Sequence, residues 1–195
     1  MIKNSALLVI DAQKIYSLKH SKLKVENVEI IVKNINKIIK YFENKSMPII
    51  YIRHMHNSNG SDAGRMYDFT GEMEEIGFIK GSAEIEYIND LTKVKDSYEI
   101  IKNRYSAFFK TKLANILNRL NINHIVIIGF MTTFCCESTA RDAHDRDYYV
   151  DFIIDATGTP DLEKLNQDQI KFATTQTLSV GYANILKTEE FLNNR

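Results

Sequence analysis

Residues 124–143 read HIVIIGFMTTFCCESTARDA, and the fold turns on how this stretch divides. His124 to Gly129 is nearly all β-branched and apolar and ends in glycine, which predicts a short buried strand. Glu137 to Ala143 is polar or small and reads as a helix. Strand, turn and helix in such quick succession are the repeating unit of a parallel sheet covered by helices. The junction carries two neighbouring thiols, Cys135 and Cys136. A cysteine there is either a small core residue or a nucleophile held at a helix N-terminus.

The same alternation runs through the rest of the chain. Short runs rich in valine and isoleucine predict strands at Ala6 to Asp11, Ile49 to His54, Tyr98 to Lys102, Ile125 to Phe130, Tyr149 to Asp155 and Ala183 to Lys187. Between the first two, Val28, Ile31, Val32, Ile35, Ile38, Ile39 and Phe42 fall on one helical stripe. Further helices are expected over about Lys110 to Leu120, Cys136 to Arg146 and Leu162 to Val180. Asn57 to Glu72 has no period and contains Gly60, Gly64 and Gly71, so it reads as a long loop, a feature that in a compact domain is commonly functional. The fold class is therefore α/β: a six-stranded, mostly parallel sheet with helices on both faces. The 195 residues suit a single domain spanning 1–195.

Composition narrows the function. Lysine plus arginine equals aspartate plus glutamate at 25 each, so there is no basic stripe for nucleic acid to neutralise. The early apolar run Ala6 to Ile10 is too short for a signal-peptide core, and no later run approaches a membrane span. The expectation is a soluble, cytoplasmic protein with neither nucleic acid nor membrane as partner. The only cysteines are adjacent, and on a starting helix they point roughly 100° apart, which disfavours a disulfide between them. Free thiols fit a reducing compartment.

In open parallel sheets ligands bind beyond the carboxyl ends of the strands. Strand one ends in Asp11, strand three in Lys102, and strand four leads to Cys135. An acid, a cation and a thiol would gather on one edge. Helix N-terminus and ammonium both favour a thiolate, and a carboxylate beside it can take and return a proton, so the three residue types suit acyl transfer. Each has a plainer reading: Asp11 as a loop or cap residue, Lys102 as a solvated side chain, Cys135 as packing.

LLVIDAQ (Leu7 to Gln13), IIKNRYSAFF (Ile100 to Phe109) and GFMTTFCCESTARDA (Gly129 to Ala143) together resemble the three signature blocks of the isochorismatase-like cysteine hydrolases, in order, over Ala6 to about Leu186. The resemblance implies a six-stranded parallel sheet, with Asp11 as acid/base, Lys102 as cation and Cys135 as nucleophile. It implies a cis peptide between Phe130 and Met131, with the backbone N–H groups of Met131 and Cys135 forming an oxyanion hole. It also implies a homo-oligomer, dimer or tetramer. Cys136 reads as packing. In the nicotinamidase branch an aspartate and histidines after the second strand hold a divalent metal, whereas this chain has Arg53-His54-Met55-His56. His54 and His56 share a strand face but lack an evident third ligand, so no metal or other cofactor is expected, and both are assigned to the pocket mouth or the loop.

Tyr16, Tyr105, Phe108 and Phe134 flank the motif residues and are candidates for an apolar substrate pocket, with ordinary core as their alternative. Gln13 contacts Asp11 or substrate, or ends its strand. Arg141 and Asp142 read as structural, pairing with each other or with a neighbouring subunit. The resulting expectation is a metal-independent hydrolase that cleaves a C–N bond of a small amide, carbamoyl or ureido substrate through a cysteine thioester. Its rivals are vinyl ether hydrolysis, which needs Asp11 but no thiol, and a non-catalytic binding protein of the same fold.

Overall fold

The valine- and isoleucine-rich runs pair side by side because both faces of each can be covered only by helices. In a computed structural model that describes residues 4–194, they form one all-parallel sheet: β1 (Ser5–Ile10), β2 (Ile49–His54), β3 (Tyr98–Lys102), β4 (His124–Phe130), β5 (Tyr149–Gly158) and β6 (Asn184–Leu186), in the order β3-β2-β1-β4-β5-β6. The chain builds outward from β1 to β3 and then returns to the other side of β1, so strand order reverses between β1 and β4. That reversal opens the crevice where such sheets bind ligands.

Helices cover both faces. On one lie α1 (Val28–Asn44) and α5 (Thr188–Asn194), whose Ile35, Ile38, Ile39, Phe42 and Phe191 pack against Leu7, Val9, Val126 and Ile128. On the other lie α2 (Leu113–Arg119), α3 (Glu137–His144) and α4 (Gln167–Ser179), which contribute Leu113, Leu117, Ala140, Ala143 and Leu178 over Leu8, Ile10, Ile125 and Ile127. Every member of the α1 stripe is buried, and each such side chain contributes roughly 1.5–3 kcal/mol over its exposed state.

The differences from the sequence reading lie at element ends and have local causes. α2 starts at Leu113 because the Thr111 hydroxyl accepts from the Leu113 N–H at 3.1 Å. α4 starts at Gln167 because Asn166 and Gln169 form a reciprocal capping box, leaving Leu162 and Leu165 to pair across a turn. β5 continues to Gly158 through a register shift against β4 between Ile127 and Gly129. The short α5 lies beyond the last expected element, Ala183 to Lys187. The loop foreseen over 57–72 is irregular apart from a helical turn at Gly64–Tyr67, and irregular backbone continues almost to β3, broken by a second turn at Ala83–Ile85. Among the described residues no helix is long and apolar enough to cross a membrane.

One glycine sets how closely the two central strands approach. Gly129 has φ +120°, and a Cβ there would stand 1.9 Å from the carbonyl oxygen of Ile10. Gly129→Ala is expected to cost about 2–5 kcal/mol, from the disallowed backbone and from forcing β1 and β4 apart. The thermal midpoint of the purified variant reads that loss.

Candidate active site

β1, β4 and the pair β2 and β3 deliver their last residues to one edge of the sheet. Asp11 is the first residue past β1, with φ +47°, a left-handed conformation that aspartate tolerates better than most side chains. Its N–H bonds the carbonyl of Ile52 at 2.8 Å. Lys102 closes β3 in register with His54, the last residue of β2. After β4 comes a cis peptide between Phe130 and Met131, then a single wide helical turn over Thr132–Cys136. The Cys136 N–H reaches back to the Met131 carbonyl at 3.1 Å. Cys135 lies in that turn, before α3 begins at Glu137.

The Lys102 ammonium is the hub. Its Nζ stands 2.7 Å from Asp11 Oδ2, 3.2 Å from Cys135 Sγ, 3.1 Å from His54 Nδ1 and 3.0 Å from the Arg104 carbonyl oxygen. Three N–H protons face four partners. Asp11, Lys102 and Cys135 are all buried. Asp11 faces the ammonium directly, as one member of a buried ion pair.

Burial raises the Asp11 pKa above its usual value, opposed by the charge of Lys102. For Lys102, burial favours loss of the proton, but Asp11 and the thiol together outweigh it and raise the pKa. The cation is therefore secure at neutral pH. Burial pushes the Cys135 thiol up to about 12 despite the neighbouring ammonium. This corrects the sequence expectation of a thiolate favoured by a helix N-terminus and a cation. Cys135 sits one turn before α3, out of solvent, and desolvation outweighs both effects. The resting site holds carboxylate, ammonium and neutral thiol.

Cys135 opens onto a cavity of about 530 Å³ with mostly apolar walls. Of the expected lining residues, Tyr16, Tyr105 and Phe134 are in it, and Met131 and His54 join them. Phe108 is not. Its ring lies in the core, stacked on Tyr148 with centroids 5.9 Å apart. Gln13 also stays out of the cavity. Its amide donates to the carbonyls of His54 and Ile85 at 2.9 and 3.0 Å and accepts from the His54 N–H at 2.8 Å, lacing the end of β1 to β2. The remaining wall, including Met66, Tyr67, Phe69 and Phe78, comes from the irregular segment. Two aromatic rings within three residues, Tyr67 and Phe69, were the signal available there. Cys136 is fully buried in the core. Arg141 pairs with Glu137, and Asp142 with Arg146, rather than with each other.

A divalent metal does not fit these donors. Asp11, His54 and Cys135 place ligand atoms within 4.8 Å of one another, but the Lys102 ammonium already contacts all three. A metal ion would have to share that space with a fixed positive charge. His54 lines the substrate cavity and His56 a second one; both are buried, with their Nε2 atoms 2.8 Å apart and bonded to each other. The nearest further carboxylate, Asp62, faces the other nitrogen of His56 at 3.3 Å, so it cannot complete a site with the paired Nε2 atoms.

Known proteins resemble this chain in sequence and fold. The isochorismatase domain profile matches residues 5–183. Nicotinamidase 3 of Arabidopsis thaliana is 31% identical over 96% of this chain and 87% of its own length. The ureidoacrylate amidohydrolase of Cronobacter sakazakii is 26% identical over 80% and 75%. The crystal structure of a cysteine hydrolase from Pseudomonas syringae pv. phaseolicola superposes with a TM-score of 0.88 at 27% identity, covering 97% of this chain and 91% of that one. On the profile match over residues 5–183 and on these relatives, the chain belongs to the isochorismatase family and is an amidase-type hydrolase of it.

Proposed function

We propose that this chain hydrolyses the C–N bond of a small, uncharged amide, carbamoyl or ureido compound through a thioester on Cys135, without a metal. One observation carries the reading: a thiol lining an apolar cavity, with one ammonium in contact with both it and a buried carboxylate. Asp11 takes the thiol proton as sulfur attacks the substrate carbonyl, which matches a thiol that is neutral at rest. The backbone N–H groups of Met131 and Cys135 receive the oxyanion. Collapse of the tetrahedral intermediate breaks the C–N bond, and Asp11 passes its proton to the departing amine or ammonia. Asp11 then removes a proton from water, whose oxygen attacks the thioester. The acid leaves and sulfur recovers a proton from Asp11.

Lys102 remains charged throughout. It holds Asp11 ionised and supports the thiolate as it forms. The mostly apolar and aromatic walls, with Arg65 and Glu74 as their charged members, favour a flat or apolar acyl group.

A panel of primary amides, N-carbamoyl compounds and ureido acids, assayed for ammonia release, tests the reading. Acid quench during turnover is expected to trap the acyl group on the peptide containing Cys135, seen by mass spectrometry. Turnover with Cys135 never acylated would sink the covalent route. Release of pyruvate from isochorismate in its place would identify vinyl ether hydrolysis.

A further inference from the structure

The contacts of Lys102 do not end at the catalytic residues. From its Nζ a line of polar atoms runs away from the substrate cavity: His54 Nδ1 at 3.1 Å, then His54 Nε2 to His56 Nε2 at 2.8 Å, then His56 Nδ1 to Asp62 Oδ1 at 3.3 Å. Both imidazoles are buried, whereas the Asp62 side chain is 24% exposed. Asp62 and His56 line a second cavity, of about 230 Å³, which Cys135 does not reach. The mechanism uses neither histidine, and two buried imidazoles bonded nitrogen to nitrogen call for a physical account.

Donor and acceptor rules leave one neutral arrangement. An ionised carboxylate only accepts, so the His56 Nδ1 facing Asp62 carries the proton. The neutral ring is then bare at Nε2 and accepts there. His54 must therefore donate from Nε2, which leaves its Nδ1 bare toward Lys102, and an ammonium only donates. Every bond in the row is satisfied, each pointing outward from Lys102 to Asp62. Asp62 is itself fixed by the Asn57 N–H at 3.0 Å, and Arg104 bonds its main-chain carbonyl at 2.7 Å.

We propose that Asp62 is a positioning residue for the reaction: acting through His56 and His54 it fixes the direction of one Lys102 N–H, leaving two for Asp11, Cys135 and the Arg104 carbonyl, and a second proton on His56 breaks that alignment. The proposal rests on the reading of Asp11, Lys102 and Cys135 as the reacting groups. A doubly protonated His56 would present N–H to the N–H of His54. To relieve the clash His54 must move its proton to Nδ1, where it meets the ammonium. The groups around His56 set when this happens. Asp62 favours the extra proton, Lys102 and Arg104 oppose it, and burial, the largest influence, holds His56 below the usual imidazole range. His54, also held low by burial and by Lys102, stays neutral, and Tyr67 supplies only a ring edge at 5.4 Å. The switch thus lies on the acid side of neutrality.

The test needs no substrate. Full-length protein labelled with ¹⁵N-histidine is expected to show opposite tautomers at neutral pH, Nε2–H for His54 and Nδ1–H for His56. The rate of Cys135 alkylation by iodoacetamide, followed by peptide mass spectrometry with Cys136 as internal control, should show an inflection at the titration of His56. Asp62→Asn keeps an acceptor oxygen and removes the charge, so both the titration and the inflection should move down by roughly 0.5–1 pH unit. A merely structural role would lower the rate without moving the inflection. Two histidines in the same tautomer overturn the proposal, as does a His56 titration that shifts while the inflection stays put. If Asp62→Asn does not fold, the wild-type tautomers alone decide. An amide panel without turnover would remove the functional reading and leave the tautomer result untouched, so the two failures are separable.

Discussion

Cys135→Ala is expected to lower amide turnover at least about 10⁴-fold, the scale on which loss of a covalent nucleophile acts, while the protein still folds. The side chain removed is one buried sulfur, and the cavity it leaves costs about 1–2 kcal/mol. Circular dichroism should be unchanged and the thermal midpoint slightly lower. The turn that holds the residue is built from main-chain bonds, including the one from Cys136 N–H to the Met131 carbonyl, and these do not depend on sulfur. Cys135→Ser separates geometry from chemistry. Serine fits the space and can bond Lys102, but its hydroxyl is a far weaker acid than a thiol, so proton loss to Asp11 is no longer accessible. It should be nearly as inactive as alanine. If either variant retained full turnover, catalysis through a thioester would be wrong, and Asp11 acting alone on a vinyl ether would be the next reading to pursue.

The second large effect is on stability. Lys102→Met fills much of the same volume without the charge, leaving Asp11 buried and uncompensated. Removing one partner of a buried ion pair costs about 3–5 kcal/mol, which in a protein of this size lowers the thermal midpoint by roughly 6–20 °C. The deficit should depend on pH in a particular direction. Burial already raises the Asp11 pKa above 3.8, and loss of the ammonium raises it further. The folded variant then binds a proton more readily than the unfolded chain does. The penalty is fully present above the folded pKa and fades as pH falls toward 3.8. Adding Asp11→Asn should restore most of the stability at neutral pH and none of the activity. A Lys102→Met protein as stable as wild type from pH 5 to 8 would mean that the 2.7 Å contact contributes nothing.

The parts of this molecule that could be read from the chain are those governed by repetition. Runs such as LLVI and IVII have one physical solution, burial on both faces, and the α1 stripe has one periodicity. Asp11, Lys102 and Cys135 were legible because each stands at or just past a strand, where topology forces them to one edge. Phe108 shows the limit. It is six residues from Lys102, yet the turn after β3 seats its ring in the core against Tyr148 and out of the cavity. Sequence distance does not record which way a turn points a ring. Nor does it record depth: the ammonium beside Cys135 was foreseeable, but the desolvation that keeps the thiol protonated depends on what covers it, and much of that cover comes from residues 57–97, which have no period to read.

That division between regular sheet and irregular cover separates two time scales. The distance between Asp11 and Cys135 is metered by β1 and β4, whose backbones meet at Gly129 in the most protected part of the molecule. The segment carrying Tyr67, Phe69 and Phe78 lacks such a ladder, and Phe69 is 70% exposed. In hydrogen exchange, the amides of β1 and β4 should open only with global unfolding, while those of 64–77 open locally and far more often. Substrate can then enter and product depart through repeated small openings of the wall, without the reacting atoms losing their alignment. By the same separation, the wall can accept substitutions that alter which amide fits while the stability of the sheet, and the chemistry suspended from its edge, stay as they are.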